Sequence, residues 1–256
     1  MYSMKDRIVF ITGASSGIGR SCARAFAAQG AKLILAARRA DRLEKLAVGL
    51  KTGHGQESLL LNLDVRDPEA VAAAVSGLPA EWAAIEVLVN NAGLSRGLDK
   101  LQVGKIDDWE EMIDTNVKGL LYVSRAVMPG MIERGRGHII NIGSIAGHEI
   151  YPSGNVYIAT KFAVKALTRA LRLDLNGTGL RVTSVDPGMT ETEFSLVRFR
   201  GDGERARKVY QGFTPLTPDD IADAVVYSAT RPPHVNVSEM IVMSTDQAST
   251  MMIHKK

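Results

Sequence analysis

Short runs of Val, Ile and Leu recur along the chain, each followed by a longer stretch whose apolar residues return every three or four positions. IVFIT (8–12), KLILAA (32–37), SLLLNLDV (58–65), VLVNNAG (87–93), HIINIGS (138–144) and RVTSVDPG (181–188) read as strands, with EMIVM (239–243) as a further one. The intervening segments 18–29, 40–50, 68–78, 109–134, 155–173 and 218–229 have helical spacing. Strands that are apolar on both sides belong in a parallel sheet covered on both faces. Alternation of strand and helix then implies right-handed crossovers and a doubly wound α/β fold. No repeat or linker divides the pattern, so one domain over 1–256 is expected. Only 189–217 breaks the rhythm. It is polar and Gly-punctuated, and it follows the carboxyl end of a strand, where such sheets bind ligands. A substrate lid is expected there, the alternative being an exposed insertion without a role.

Composition narrows the function classes. The net charge is only +3 and the basic residues come as short pairs, with few aromatics, which argues against a nucleic-acid platform and suits an anionic small molecule. A single cysteine, Cys22, excludes an intrachain disulfide and a Cys-rich metal site, and the five histidines lack metal-ligand spacing. No metal is expected. The opening MYSMKDR has no signal-peptide pattern and no apolar run is long enough to span a bilayer, so a cytoplasmic protein with no membrane partner is expected.

TGASSGIG (12–19) joins the first strand to the first helix. Gly13 permits a tight turn, while Gly17 and Gly19 let a bulky anion approach the helix amino terminus, with Ser15, Ser16 and Ile18 between them. In this position the pattern indicates a dinucleotide and a Rossmann-like sheet. The second strand closes as AARRADR. Where an acid would bind a ribose 2′-hydroxyl stand Ala36 and Ala37, followed by Arg38 and Arg39, which can bind a 2′-phosphate. NADP(H) is therefore the expected cofactor. Asp64 and Val65 end the third strand and could reach an adenine. Asn91, Ala92 and Gly93 end the fourth, small enough for close passage beside a cofactor. Either could also be ordinary turn chemistry.

In NVYIATKFAVKAL (155–167), Tyr157 and Lys161 fall one helical turn apart on one face of a mostly apolar segment. A free phenol, with pKa about 10, holds its proton too tightly for exchange near neutrality. A cation about 4 Å away at an effective dielectric of about 20 contributes roughly 4 kcal/mol, or about three pKa units. The pair thus reads as a tuned acid/base, with Ser144 as a neutral donor to a developing alkoxide. The alternative is an amphipathic core tyrosine beside a lysine that reaches to the surface.

TGASSGIG (12–19), NNAG (90–93), Asn116, Ser144, YIATK (157–161) and PGMTETEF (187–194), in this order and spacing, resemble the short-chain dehydrogenase/reductase family over almost the whole chain. MIDTNVKGLLYVSRAVMPGMIERGRGHIINIGSIAG, GNVY and EFSLVRFRGD further resemble its NADP-dependent 3-hydroxy acid (serine) dehydrogenases. The resemblance implies Tyr157 as general acid/base and Lys161 on the nicotinamide ribose, lowering the tyrosine pKa. It implies Ser144 on the substrate oxygen and Asn116 holding a water in a proton relay. Pro187, Gly188 and Thr190 would border the nicotinamide. A homotetramer is common in the family, and segments 109–134 and 155–173, apolar on more than one face, fit a partner subunit.

Arg198 and Arg200 lie in the expected lid, where a guanidinium could pair with a substrate carboxylate. That fits a small 3-hydroxy acid such as serine or 3-hydroxypropionate, oxidised to its 3-oxo acid or semialdehyde. A 3-oxoacyl thioester reductase would use the same catalytic set, and a non-catalytic NADP-binding sensor would use the cofactor cradle alone.

Overall fold

The computed structural model describes residues 2–256. Seven strands, β1 (Ile8–Thr12), β2 (Lys32–Ala37), β3 (Ser58–Asn62), β4 (Ile85–Asn90), β5 (Gly137–Ile142), β6 (Leu180–Pro187) and β7 (Glu239–Val242), form one sheet in the order β3-β2-β1-β4-β5-β6-β7. Every adjacent pair is parallel. The strand order reverses between β1 and β4, so their carboxyl ends open a crevice at the switch point. The strands end within a few residues of the expected places. The expected third and fourth runs extend past the last sheet residue, which leaves Asp64, Val65 and Asn91 to Gly93 in the loops facing that crevice.

Period-two alternation divides the core into two layers. Val9, Ile11, Leu33 and Leu35 point to one side. There they meet Cys22 and Phe26 of α1 (Gly17–Ala28), Leu43 and Leu50 of α2 (Ala40–His54) and, further along the chain, Ile221 and Val225. Ile8, Phe10, Ile34 and Leu88 point to the other side, toward Val71 of α3 (Pro68–Ser76) and, later in the chain, Val123, Val127 and Met131. Helix starts are marked chemically. Asp67 caps α3 by accepting from the amides of Glu69 and Ala70 at 3.0 and 2.9 Å, with Pro68 in the first turn.

The segment read as one helix over 109–134 is broken. α4 (Ile106–Ile113) passes into a π-helical turn (Asp114–Gly119) and then α5 (Leu120–Glu133). An inserted residue of this kind re-aims side chains and recurs at functional sites. Here it carries Asn116. α6 (Asn155–Asp174) carries Tyr157 and Lys161, and 189–217 holds two short helices, α7 (Phe194–Arg198) and α8 (Gly203–Lys208), before α9 (Pro218–Ala229). Among the described residues no helix is long and apolar enough to cross a membrane.

Cys22 is fully buried under β1 and β2, and desolvation pushes its thiol up to about 12 from a usual value near 9. The folded state therefore keeps this proton after the unfolded chain has lost it. Its stabilisation is complete below pH 9 and disappears as pH rises toward 12, at roughly 1.4 kcal/mol per pH unit. Urea unfolding of Cys22→Ala and the parent protein at pH 8 and pH 10.5 should show the parent losing more stability over that interval.

Candidate active site

One cleft of about 650 Å³ runs along the carboxyl ends of the strands, from the glycine turn to Tyr157. At its first end, Gly13 and Gly17 have φ of 65° and 50°, the left-handed region that a side chain disfavours. Asn91 clamps this turn. Its side-chain amide donates to the carbonyls of Thr12 and Gly13 at 2.9 and 3.2 Å, while the Asn91 and Ala92 backbone amides both donate to Thr12 Oγ1 at 3.0 Å. Gly19 does not line the cleft. A Cβ there would stand 2.4 Å from Asn91 Nδ2 and 2.5 Å from the Gly13 carbonyl, so its service is close packing beneath the turn. Ser15, Ser16, Gly17 and Ile18 do line the cleft. α1 opens with no side-chain cap and no acid in its first turn, leaving its positive end open to an anion.

Arg39 lies across this turn. Its Nε and Nη2 donate to Ser15 Oγ at 3.2 and 3.0 Å, and Nη2 also donates to Ser16 Oγ at 2.7 Å. Its Nη1 meets Glu193 Oε2 at 3.1 Å, and Arg42 joins the same carboxylate at 2.8 Å. The two guanidinium groups hold the Glu193 carboxyl below its usual range although burial opposes them. Arg38 also lines the cleft, about half exposed, 4.0 Å from both Asp64 and Glu111. Asp64 is paired with Arg66 at 2.6 Å, and Val65 packs so tightly on Gly119 that a Cβ there would lie 2.7 Å from it. A glycine cradle, serine hydroxyls and an arginine cluster together fit a phosphorylated dinucleotide. The bare residue pattern had shown Arg38 and Arg39. Arg42, one turn further along, and Glu193 were missed.

At the other end Ser144 starts a 3₁₀ turn (Ile145–Gly147), its Oγ accepting from the Ala146 amide at 3.1 Å. Tyr157 and Lys161 are both buried and one turn apart, as expected. The electrostatics differ from the expectation. Lys161 Nζ donates to the Ile142 carbonyl at 2.9 Å and lies 6.0 Å from the Tyr157 ring centre. Burial dominates both groups. The Tyr157 phenol is pushed up to about 12 by desolvation and then by Tyr151, with Arg198 and a hydrogen bond to Ser144 pulling the other way. Burial lowers Lys161 to about 8, which still leaves it mainly charged at neutral pH. The cation that counters the phenol's burial here is Arg198, whose guanidinium carbon lies 5.3 Å from the Tyr157 ring centre.

Asn116 stands behind the cleft. Its Oδ1 accepts from the Leu94 amide at 2.9 Å, and its Nδ2 donates to the Leu94 carbonyl and to Thr160 Oγ1 at 2.9 and 3.0 Å. It thus ties the loop after β4 to α6, beside Gly93, whose Cβ position lies 3.3 Å from Asn116 Oδ1 and 3.8 Å from Lys161 Nζ. Pro187, Gly188 and Thr190 line the cleft where β6 leaves the sheet. The Gly188 amide bonds the Val242 carbonyl at 2.7 Å, and Thr190 Oγ1 donates to the Gly188 carbonyl at 3.2 Å.

Residues 189–217 roof the cleft. Thr192 packs on Gly17, and the Phe194 ring lies 5.4 Å from that of Tyr157, tilted to it by 60°. Arg198 points inward, donating to Ser95 Oγ at 3.1 Å and to the Tyr151 hydroxyl at 3.2 Å. Arg200 does not enter the cleft. Its φ of 53° turns the chain, and its guanidinium pairs with Asp108 on α4. The expectation that either arginine faces the substrate therefore narrows to Arg198. Tyr151, Tyr210 and Arg96, which also line the cleft, had no sequence signal.

Comparison with known proteins agrees with this geometry. The short chain dehydrogenase family model matches residues 7–200. The chain is 49% identical over 250 residues to the NADP-dependent 3-hydroxy acid dehydrogenase YdfG of Salmonella typhimurium, covering 97% of this chain and 99% of that protein. It is 48% identical to sulfoacetaldehyde reductase 2 of Chromohalobacter salexigens, covering 94% and 95%. Among solved structures, the closed form of serine dehydrogenase complexed with NADP+ superposes with a TM-score of 0.91 at 46% identity, covering 97% of this chain and all of that one. With the sheet order, the glycine turn and the Ser144, Tyr157, Lys161 end in one cleft, the chain belongs to the short-chain dehydrogenase family.

Proposed function

We propose that this chain is an NADP-dependent oxidoreductase that interconverts small 3-hydroxy acids with their 3-oxo acids or semialdehydes. The observation that carries the reading is a single cleft with a glycine, serine and arginine cradle at one end and Ser144, Tyr157 and Lys161 at the other. The names of the relatives, an NADP-dependent 3-hydroxy acid dehydrogenase and a serine dehydrogenase with NADP+, support it. A bound nicotinamide supplies or accepts the hydride. Tyr157 Oη holds the proton that moves to or from the substrate oxygen, and Ser144 Oγ orients that oxygen. Lys161, whose ammonium donates to the Ile142 carbonyl, is assigned to the nicotinamide ribose. Asn116 acts by fixing Leu94 and Thr160 around the site.

Arg39, with Arg38 and Arg42 beside it, is assigned to the 2′-phosphate. A charge-assisted hydrogen bond contributes about 1.5–3 kcal/mol, so Arg39→Ala should raise the KM for NADPH by roughly 10- to 100-fold with little change for NADH. Equal losses with both cofactors would reject the assignment. Residues 189–217 serve as the substrate lid, with Arg198 binding the substrate carboxylate between Ser95 and Tyr151. For Arg198→Lys, which keeps the charge but loses the planar fork, KM for 3-hydroxypropionate should rise by at least about 10-fold. An unchanged KM would remove Arg198 from substrate recognition.

The decisive assay screens C3–C5 3-hydroxy acids with NADP, alongside an acetoacetyl thioester and sulfoacetaldehyde with NADPH. Preference for the thioester would replace the substrate reading, and cofactor binding without any turnover would replace the enzyme reading. Ile113, Leu121, Ile132 and Phe162, exposed on α4, α5 and α6, support assembly as a homotetramer, which light scattering at micromolar concentration tests.

A further inference from the structure

Arg96 lines the cleft without a part in the chemistry above, yet its three guanidinium nitrogens are all engaged. Nε and Nη2 donate to the two carboxylate oxygens of Glu111 on α4 at 2.6 and 3.1 Å, a parallel pair of charge-assisted bonds. Nη1 is left to donate to the Val197 carbonyl at 2.7 Å. That carbonyl belongs to α7, which has five residues, whereas isolated helices below about 12–15 residues are marginal. The last carbonyls of a helix need donors from outside it. The Arg200 amide reaches the Val197 carbonyl at 3.2 Å, and the Gly97 amide donates to the Arg198 carbonyl at 2.9 Å. One residue before Arg96, Ser95 Oγ accepts from Arg198 Nε at 3.1 Å. Three consecutive residues, 95–97, thus hold Arg198 by its side chain, its own carbonyl and the carbonyl before it.

The support beneath these contacts is α4. Ser95 is 1% exposed, and the Arg96 amide lies 3.4 Å from Sδ of Met112, which is itself buried. Asp108, on the same face of α4 as Glu111, pairs with Arg200 just past the end of α7. With Nε on Ser95 and Nη2 on the Tyr151 hydroxyl at 3.2 Å, Arg198 keeps Nη1 without an acceptor among the described residues. Where that nitrogen points depends on where α7 ends. We infer that Arg96, braced by Glu111, is a positioning residue for Arg198: it caps α7 from the loop after β4 and so aims the free Arg198 nitrogen at the substrate carboxylate. This rests on the reading of Arg198 as the carboxylate ligand. A lysine at 96 could reach Glu111 or Val197, but it lacks the fork that serves both. Glu111 also lies 4.0 Å from Arg38 at the nucleotide end, so the test alters residue 96 and leaves residue 111 alone.

The test compares Arg96→Met with the parent protein, folding being checked by NADPH titration, and uses Arg96→Lys should the methionine variant not fold. Exchange of the 194–202 backbone amides, followed by mass spectrometry on the full chain, should quicken by about tenfold, as expected for the loss of a charged donor. Unchanged exchange would overturn the inference. KM for 3-hydroxypropionate should rise by at least about tenfold, while KM for its methyl ester, which has no carboxylate, moves by less than about threefold. Equal rises for acid and ester would show a general disturbance of the cleft and would also overturn it. Arg198→Lys added to Arg96→Met should cost little more, because both residues serve one contact, and a full product of the two losses would count against it. If Arg198→Lys alone leaves KM unchanged, the carboxylate reading fails, and amide exchange still decides whether Arg96 holds Arg198.

Discussion

Tyr157→Phe loses turnover of 3-hydroxy acids by about 10²- to 10⁴-fold, the usual contribution of a positioned acid/base, and leaves NADPH binding little changed. The substitution removes one oxygen and no packing. The ring keeps its 5.4 Å contact with Phe194 and its place under Arg198, and α6 keeps its buried face. A drop in kcat with an unaltered dissociation constant for NADPH, measured by fluorescence titration, therefore isolates the proton transfer. Turnover within a few-fold of the parent would move the acid/base role to another group. Because the phenol keeps its proton up to about 12 in this structure, it enters the reductive direction as an acid throughout the neutral range.

Gly19→Ala damages the other end of the cleft. The new Cβ meets Asn91 Nδ2 at 2.4 Å and the Gly13 carbonyl at 2.5 Å. Neither can withdraw cheaply, since one belongs to the clamp between β1 and β4 and the other is backbone. Overpacking of this kind costs about 1–3 kcal/mol, and here it also opens the turn that would face the phosphates. The melting temperature should fall by several degrees and NADPH affinity by more than tenfold. Gly49→Ala in the exposed part of α2 meets nothing within 4 Å, and should instead stabilise by about 0.4–1 kcal/mol. If Gly19→Ala matched Gly49→Ala in stability and binding, the close-packing role of Gly19 would be wrong.

Most of the sheet was legible because its strands are buried on both faces and their apolar runs stand apart from the helices. The Gly13 to Gly19 turn and the Tyr157 to Lys161 spacing are local patterns and carried over directly. The π turn at Asp114–Gly119 was not legible, because one extra residue hardly disturbs a helical apolar pattern. Arg198 and Arg200 looked alike in sequence. They were separated by a left-handed residue at 200, which no periodicity announces. The direction of the Tyr157 shift does not follow from the pair spacing, since desolvation dominates both groups and the Lys161 ammonium bonds the Ile142 carbonyl. Arg96 and Glu193 belong to contacts between distant segments, 101 residues from Val197 in one case and 154 from Arg39 in the other.

Glu193 has a consequence for how the cleft fills. Every nitrogen of Arg39 already has an acceptor, and the carboxylate shared with Arg42 belongs to the roof itself. Only the Nη1 contacts of Arg39 and Arg42 reach Glu193; the other nitrogens of Arg39 bond Ser15 and Ser16. A phosphate that recruits those Nη1 groups competes with Glu193 for the same cations, and to that extent filling this end of the cleft loosens the segment bearing Arg198.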